Sequence, residues 1–166
     1  MPSANAFLSI EMLHQPEALY PLTVYVCRVC WLMQIPEFHT APDMFAGEYV
    51  YFSSYAKSWV QHAARFCRSA TERFDLNEKS FVVEIASNDG YLLQEFVASQ
   101  IPCLGIDPAA NAAEAARKKG VETHVDFFNT KTAAHIVDTK GHANLIVANN
   151  VLAHVPDIND FVAGVA

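Results

Sequence analysis

The sequence predicts an α/β protein in which most of the chain forms a parallel β-sheet flanked by helices. Two observations support this fold class. The composition, 52% hydrophobic and 17% charged over 166 residues, is that of a folded chain with one sizeable core. From residue 81 onward, short apolar runs alternate with segments of helical spacing, a pattern typical of βαβ units with right-handed crossovers.

The predicted elements follow this alternation along the chain and form a Rossmann-like half. The last helix begins at Asp157 and the sequence ends at Ala166, so we expect about four strands of the usual doubly wound sheet. The predicted strands are residues 81–86, 102–106, 122–125 and 144–148, and the predicted helices are residues 90–99, 109–119, 131–137 and 157–166.

Ahead of the sheet-forming part, residues 77–166, we predict two further regions. Residues 1–52 are rich in proline and lack helical periodicity, so we expect a small irregular N-terminal unit of loops and short strands. Within it, residues 22–27 alternate and are β-branched, which predicts one strand that leads into the Cys-x-x-Cys pair Cys27 and Cys30.

Residues 53–76 are predicted to form a connector helix. Either Ser53 or Ser54 could cap its start, because a serine side chain can accept a hydrogen bond from the first turn of a helix. The apolar residues recur at intervals of three and four, as an amphipathic helix requires, at Trp59, Ala63, Phe66, Ala70 and Phe74.

Charge and hydropathy exclude several classes of function. Eleven basic and eighteen acidic residues give a net charge of -7, which offers no electrostatic basis for binding nucleic acid or an anionic membrane. The apolar runs are shorter than the roughly 20 residues of a membrane span, and the N-terminus lacks a signal-peptide pattern. We therefore expect a cytoplasmic protein with a small-molecule partner, whose four cysteines are thiols or metal ligands.

The loop after the first predicted strand of the sheet is the main candidate for a ligand site. A dinucleotide site requires Gly-x-Gly-x-x-Gly there, and this sequence does not have it. Counting from Glu84, the positions where S-adenosylmethionine (SAM) enzymes often carry glycines are Ala86, Asn88 and Gly90. Ala86 is small, Asn88 tolerates left-handed backbone angles, and Gly90 permits a close approach. These three residues can therefore adopt the same loop conformation as the glycines.

Polar residues at the ends of two other predicted strands support this site. Asp107 follows the second strand of the sheet, where an acidic residue can bind ribose hydroxyls, and Asn149 and Asn150 follow the fourth. A purely structural alternative is a capped turn at residues 87–90 and a helix start at Asp107, ahead of Pro108. The three features together favour a ligand site.

Three segments of the sequence resemble the SAM-dependent sugar C-methyltransferases. They are residues 84–93 (EIASNDGYLL), residues 49–54 (YVYFSS) and residues 148–160 (ANNVLAHVPDIND), and they occur in the family's order. The resemblance covers nearly the whole chain but only the front portion of a family member. It implies a class I SAM methyltransferase fold with a zinc-binding N-terminal unit. It also implies a substrate that is a nucleotide-linked deoxysugar, methylated at carbon 3 of a 4-keto sugar.

The resemblance also implies roles for individual residues. Phe127 and Phe128 would flank the adenine, Asp107 would bind the ribose, and Asn149 and Asn150 would close over the cofactor. The remaining cofactor-binding residues would be Glu84, Ala86, Ser87, Asn88, Asp89, Gly90 and Pro108, and the residues facing the active-site cleft would be Tyr49, Tyr51 and His154.

The reaction that the resemblance implies begins with removal of the proton next to a ketone. The enolate carbon then attacks the methyl group of the sulfonium cofactor, so a general base and donors to the enolate oxygen are required. His154, Tyr51 and Tyr49 are the catalytic candidates in this sequence. For His154 the alternative is a surface histidine at a helix start, and for the tyrosines it is packing at a domain junction.

The sequence departs from the family pattern at both ends. The family holds zinc with four cysteines in two pairs, and here Cys27 and Cys30 form the one pair of this spacing, with His14 and His39 as alternative ligands. We expect Cys67 and Cys103 to be small buried residues. The family's Tyr-x-Glu-His segment and C-terminal substrate domain have no counterpart, so we expect the 166 residues alone to have weak or no catalytic activity.

Three other functions remain open at this point. One is a different small-molecule SAM-dependent methyltransferase, because the loop, the acid and the residues around His154 are common among them. Another is a truncated, non-catalytic SAM-binding fragment, whose uncovered sheet edge would make it associate. The last is an NAD-binding domain, which the absent Gly-x-Gly-x-x-Gly disfavours.

Overall fold

The computed structural model describes residues 7–38, 40–45 and 49–166, and the chain divides into two compact units, residues 1–40 and 41–166. His39, one of the alternative zinc ligands, lies outside the described residues. The three-part division expected from the sequence remains a prediction. No helix within the described ranges is long and apolar enough to cross a membrane.

The N-terminal unit contains a 3₁₀ turn at Ile10–Met12 and one small antiparallel hairpin. Its strands are β1, Tyr25–Val26, and β2, Met33–Gln34. The single strand predicted at residues 22–27 is therefore shorter than expected and has a partner that the sequence did not indicate. The Cys-x-x-Cys pair occupies the connection between the two strands.

A short helix α1, Ala41–Phe45, opens the second unit, where only loops and short strands were expected. The connector helix α2 is Lys57–Phe74. The prediction that Ser53 or Ser54 caps this helix is wrong. Its N-cap is Ala56, and the two serines lie in a preceding 3₁₀ turn, where they bond to the loop that follows the first strand of the sheet.

The predicted fold class is confirmed by a four-stranded, fully parallel sheet with strand order β5-β4-β3-β6. The strands are β3, Val82–Ile85, β4, Cys103–Ile106, β5, Thr123–His124, and β6, Leu145–Val147. The helices between and after them are α3, Leu93–Ala98, α4, Ala110–Lys118, α5, Thr130–Lys140, and α6, Ile158–Val165.

Alternate residues of β3 contribute to two apolar clusters. Val82 packs with buried residues of α2 and α3, among them Cys67 and Phe96. Val83 packs with Ile136 of α5 and Phe161 of α6. Since successive side chains of a strand point to opposite faces, the sheet is covered by helices on both sides, which explains why its strands are continuous apolar runs.

The strand order creates a switch point at the carboxyl end of the sheet. The chain passes from β3 outward to β4 and β5 and then returns to pair β6 with the other side of β3. Val83 is in register with Leu104 and Ile146, so the three strands end at one edge. Ligands of open parallel sheets bind outside the carboxyl ends of the strands at such a point.

Candidate functional site

The loop after β3 follows the backbone path of a glycine-rich turn with glycine at one position. Ala86, Asn88 and Gly90 have φ values of 55°, 51° and 73°. Left-handed backbone angles cost most residues roughly 1–2 kcal/mol, whereas asparagine and glycine adopt them more readily. The replacements noted in the sequence are therefore compatible with the alternating turn, and Ala86 bears most of its strain.

Gly90 permits close packing between elements of the core. A Cβ atom added at this position would lie 3.1 Å from both Ala116 Cβ and Val121 Cγ2. The close approach expected at Gly90 is thus made by α4 and by Val121, three residues after the end of that helix. This packing and the left-handed backbone also explain why helix α3 begins only at Leu93, three residues later than predicted.

Ser87 points into the sheet. Its side chain is fully buried, and a Cβ atom on Gly105 of β4 would lie 2.3 Å from Ser87 Oγ. The Ser87 amide donates to Ile106 O at 3.2 Å. Both groups thus face β4, so a role of Ser87 in cofactor binding remains a prediction that its side-chain direction does not favour.

The side chains of Asn88 and Asp89 bond to residues 49–55, which we call the strap. Asn88 Oδ1 accepts from the Ser53 amide at 2.8 Å, and Asn88 Nδ2 donates to Tyr51 O at 3.0 Å. Asp89 accepts from both the amide and the hydroxyl of Ser54. The strap therefore lies against the loop, and these two side chains have protein partners.

Asp107, at the end of β4, joins the loop to the start of α4. Its carboxylate accepts from the Asn88 amide at 2.8 Å and from the Ala109 amide at 2.9 Å, with Pro108 between. Burial raises the pKa of Asp107, while these two bonds oppose the rise. Each oxygen keeps a lone pair, so the carboxylate can accept a further hydrogen bond from a ligand hydroxyl.

Glu84 places a buried carboxyl group within β3. The residue is 1% exposed, and within the described part of the chain its Oε2 has no hydrogen-bond partner. Burial, then the charges of Asp107 and Asp89, raise the pKa of Glu84 well above its ordinary value. An unsatisfied acid surrounded by two more acids would be stabilised by a cationic ligand.

The strap brings both candidate tyrosines to this edge of the sheet. Asn111 of α4 binds the Tyr49 backbone twice, accepting from its amide at 3.2 Å and donating to its carbonyl at 2.9 Å. Burial, then the charges of Asp107 and Tyr51, raise the pKa of Tyr49. Tyr51 is half exposed and free to contact a ligand.

The turn after β6 borders a cleft that the sequence did not reveal. Asn149 and Asn150, the latter with φ 56°, line it together with Trp59, His62 and Tyr91. The cleft encloses about 160 Å³, and Trp59 stacks on His62 and Tyr91 with ring centroids 5.2 Å and 6.1 Å apart. Burial, then the charge of Glu84, raise the pKa of Tyr91 to about 12.

The sequence signal for this cleft was ambiguous. The spacing of Trp59 and His62 identifies a helix surface, but it does not distinguish packing from binding. His154, the predicted base, is exposed in a 3₁₀ turn, Leu152–His154, that also follows β6. The structure thus places Asn149 and Asn150 in the turn after β6 and His154 in the next turn along the chain, and their roles remain predictions.

Phe127 and Phe128 lie in the segment after β5. The ring of Phe128 packs edge to face against Phe161 of α6, with centroids 5.3 Å apart, as part of the apolar cluster beneath that helix. Phe127 is partly buried. An adenine-flanking role remains a prediction for both residues, and the packing of Phe128 makes Phe127 the better candidate.

Cys27 and Cys30 lie in the hairpin connection of the N-terminal unit. Hydrogen bonds from the backbone amides of Cys30 and Val29 lower the pKa of the Cys27 thiol, which favours the thiolate. Among the described residues, no three Cys, His, Asp or Glu side chains are arranged to hold a metal ion. The described residues of this unit therefore supply two ligands, Cys27 and Cys30, and do not fit a closed four-ligand zinc site.

Comparison with protein families identifies the class of this chain. A model described as "Methyltransferase domain" matches residues 59–164, and one described as "Putative zinc binding domain" matches residues 1–45. Because the first match covers more than half of the sequence, the chain belongs to the methyltransferase domain family.

Individual relatives narrow the comparison. The chain is 37% identical over 165 residues to C-methyltransferase NovU of Streptomyces niveus, covering 99% of this chain and 39% of that protein. It is 27% identical over 108 residues to a ubiquinone biosynthesis O-methyltransferase of Rhodopseudomonas palustris (strain BisA53), covering 60% of this chain and 43% of that protein. The chain thus spans less than half the length of both relatives.

A solved structure, the SAM-dependent methyltransferase of Anabaena variabilis ATCC 29413, aligns with a TM-score of 0.47 at 19% identity. The alignment covers 61% of this chain and 45% of that one.

Proposed function

We propose that this protein acts in SAM-dependent methyl transfer to carbon 3 of a nucleotide-linked 4-keto-deoxysugar. The observation that supports the cofactor is the unsatisfied buried carboxyl group of Glu84, which experiences the charges of two further buried acids, Asp89 and Asp107. Asp89 is paired with Lys119, whereas Glu84 Oε2 has no hydrogen-bond partner in the described ranges. A ligand with positive charge is favoured here, and a dinucleotide pyrophosphate would be repelled.

The residues of this edge of the sheet fit the parts of SAM. SAM carries a sulfonium and an ammonium group, which match the unsatisfied Glu84, and ribose hydroxyls, which match the remaining lone pairs of Asp107. When bound, SAM supplies an electrophilic methyl group. The protein's part is to hold the acceptor carbon in line with it and to exclude water, which accounts for much of the rate.

The sugar substrate is inferred from sequence similarity. It follows from the motifs shared with the sugar C-methyltransferases and from the 37% identity to a protein named as a C-methyltransferase. Proton removal from the carbon next to a ketone needs a base, for which His154 and Tyr51 are our candidates, with Tyr49 as the more buried alternative. His154 follows β6, and Tyr51 lies on the strap next to the loop.

A titration calorimetry experiment tests the cofactor. We expect SAM to bind and NAD⁺ to fail, and we expect Glu84→Gln to weaken SAM binding by roughly 10- to 100-fold, the usual value of a hydrogen bond to a charged group. Glu114→Gln is the matched control, since Glu114 is an exposed acid of α4 that pairs with Lys118. Equal affinity for SAM in both variants would remove Glu84 from the site.

Product analysis tests the acceptor. With a panel of nucleotide-linked 4-keto-6-deoxyhexoses and methyl-labelled SAM, nuclear magnetic resonance should show the label on carbon 3. A methyl group on oxygen would support the second candidate, an O-methyltransferase, which the 27% identity to such an enzyme keeps in consideration. His154→Ala should lower turnover by about 10²- to 10⁴-fold, the usual contribution of a general base.

A further inference from the structure

Asn88 and Asp89 hold the strap with every polar atom of their side chains. Asn88 Oδ1 accepts from the Ser53 amide and Asn88 Nδ2 donates to the Tyr51 carbonyl, so one side chain fixes two backbone positions on either side of Phe52. Asn88 is buried, so these bonds are shielded from competition with water. The Asn88 side chain therefore points toward the strap.

Asp89 fixes the next residue of the strap. Its carboxylate accepts from the Ser54 amide at 3.3 Å and from the Ser54 hydroxyl. Lys119, at the end of α4, balances the charge by donating to both the carboxylate and the carbonyl oxygen of Asp89 at 2.8 Å. The acid is thus satisfied by protein groups, unlike Glu84.

Asn111 completes the attachment at the start of the strap through its two bonds to the Tyr49 backbone. Tyr51 therefore lies between two anchored points, with its carbonyl bonded to Asn88 and its ring half exposed. The backbone of Tyr51 cannot shift without breaking its partly buried hydrogen bond to Asn88. The orientation of its phenol is consequently coupled to the loop after β3.

We propose that Asn88 and Asp89 are positioning residues that orient Tyr51 toward the acceptor substrate, and that their side chains do not bind the cofactor. This inference rests on the proposed methyl-transfer function, because it assigns Tyr51 to that reaction. It assigns two roles to one edge of the sheet: Glu84 of β3 and the loop backbone serve the methyl donor, and the side chains of Asn88 and Asp89 serve the acceptor side.

Asn88 offers a clean substitution because its φ is 51°. Asn88→Gly keeps a residue that adopts left-handed angles readily and removes the amide group. Asn88→Asp keeps the acceptor for the Ser53 amide and loses the donor to the Tyr51 carbonyl. Asp75→Gly is the matched control, since Asp75 has the same φ of 51° at the exposed C-cap of α2, where glycine is also tolerated.

Three measurements on the purified protein test the proposal. In Asn88→Gly, hydrogen exchange of the Ser53 amide should accelerate by about 10-fold, with a smaller change in Asn88→Asp and none in Asp75→Gly. The dissociation constant for SAM should stay within about 3-fold. Turnover of the sugar panel should fall by about 10-fold or more, and the loss should nearly vanish in a Tyr51→Phe background, because coupled residues are not additive.

Two results would overturn the proposal. One is a loss of SAM affinity above about 10-fold in Asn88→Gly, which would make the amide a cofactor ligand. The other is an equal loss of turnover in the Tyr51 and Tyr51→Phe backgrounds, which would mean that Asn88 does not act through Tyr51. If the wild-type protein binds no SAM, the proposed function fails separately, and unchanged Ser53 exchange in Asn88→Gly would still refute the attachment.

Discussion

The two units of the chain use apolar residues in opposite ways. In the sheet-forming unit, large side chains such as Phe96 and Leu93 are fully buried between helices and strands. In the N-terminal unit, none of the described residues is buried. Even large apolar side chains are exposed there, Trp31 by 76% and Val29 by 90%. Apolar composition alone therefore does not make a core. A segment of about 40 residues is usually too small to bury one without a metal, a disulfide or a partner.

The cysteines show the same difference. Backbone amides lower the pKa of Cys27, while burial raises the pKa of Cys67 to about 12 and that of Cys103 to about 11. A thiol of the N-terminal unit is thus prepared to become a thiolate, whereas the thiols of the other unit act as small apolar groups.

The largest effect should come from opening the core. Phe96→Ala is expected to cost about 3–5 kcal/mol of unfolding free energy, because it leaves a cavity beneath α3. Trp31→Ala, the matched change in the N-terminal unit, should stay within about 0.5 kcal/mol, since the ring is mostly exposed. Urea unfolding followed by circular dichroism measures both. Comparable losses would mean that Trp31 packs against something in solution.

Thiol alkylation should separate the cysteines next. At pH 8, a pKa of about 12 leaves roughly 10⁻⁴ of the Cys67 thiol ionised, and burial restricts access further. We expect iodoacetamide to modify Cys27 at least about 100-fold faster than Cys67 or Cys103, as read by peptide mass spectrometry. In denaturant the difference should disappear. Similar rates in the folded protein would contradict the burial of Cys67 and the partial burial of Cys103, which is less buried than the sequence led us to expect.

Alternation of strands and helices allowed the sheet-forming unit to be predicted from sequence within one to three residues at most boundaries. Its strands are buried on both faces, and this produces continuous apolar runs that short-range patterns detect. The N-terminal hairpin was only half predicted. Its strands have two residues each, so β2 has too few residues for a pattern. Helix α1 is equally short, with five residues.

The sequence indicated where the candidate residues lie in the fold more accurately than where their side chains point. The sequence located the loop, Asp107 and the turn after β6 at one edge of the sheet, because parallel strands end there together. It could not indicate that Asn88 and Asp89 point to the strap, since those bonds join residues 35 to 37 positions apart. The serines of the strap were misassigned as helix caps for the same reason.

The buried carboxyl group of Glu84 in the second unit should lower the stability of the folded protein in a way that depends on pH. The pKa of Glu84 is raised in the folded state. The stability of the protein should therefore fall as pH rises from the pKa of this group in the unfolded chain, near 4.5, toward its pKa in the folded protein. Glu84→Gln is always neutral, so at pH 7 it should be more stable by roughly 1–3 kcal/mol. The gain should disappear below pH 4.5. A gain that is independent of pH would refute the protonation argument.

The smallest effect should come from Ser87, which is a buried group of a different kind. Its hydroxyl, like Glu84 Oε2, lacks a hydrogen-bond partner among the residues that the structure describes, but it carries no charge and faces Gly105. Ser87→Ala keeps the small volume and removes a poorly satisfied group, so unfolding free energy should be unchanged or rise by up to about 1 kcal/mol.

The same substitution tests whether Ser87 only packs inside the protein or also binds the cofactor, as the sequence motif implied. Because the side chain points into the sheet and the amide is bonded to Ile106, Ser87→Ala should leave the dissociation constant for SAM within about 2-fold. Differential scanning calorimetry and calorimetric titration measure the two quantities. A clear loss of SAM affinity with unchanged stability would place the Ser87 hydroxyl in the cofactor site, which would require the loop to rearrange when the ligand binds.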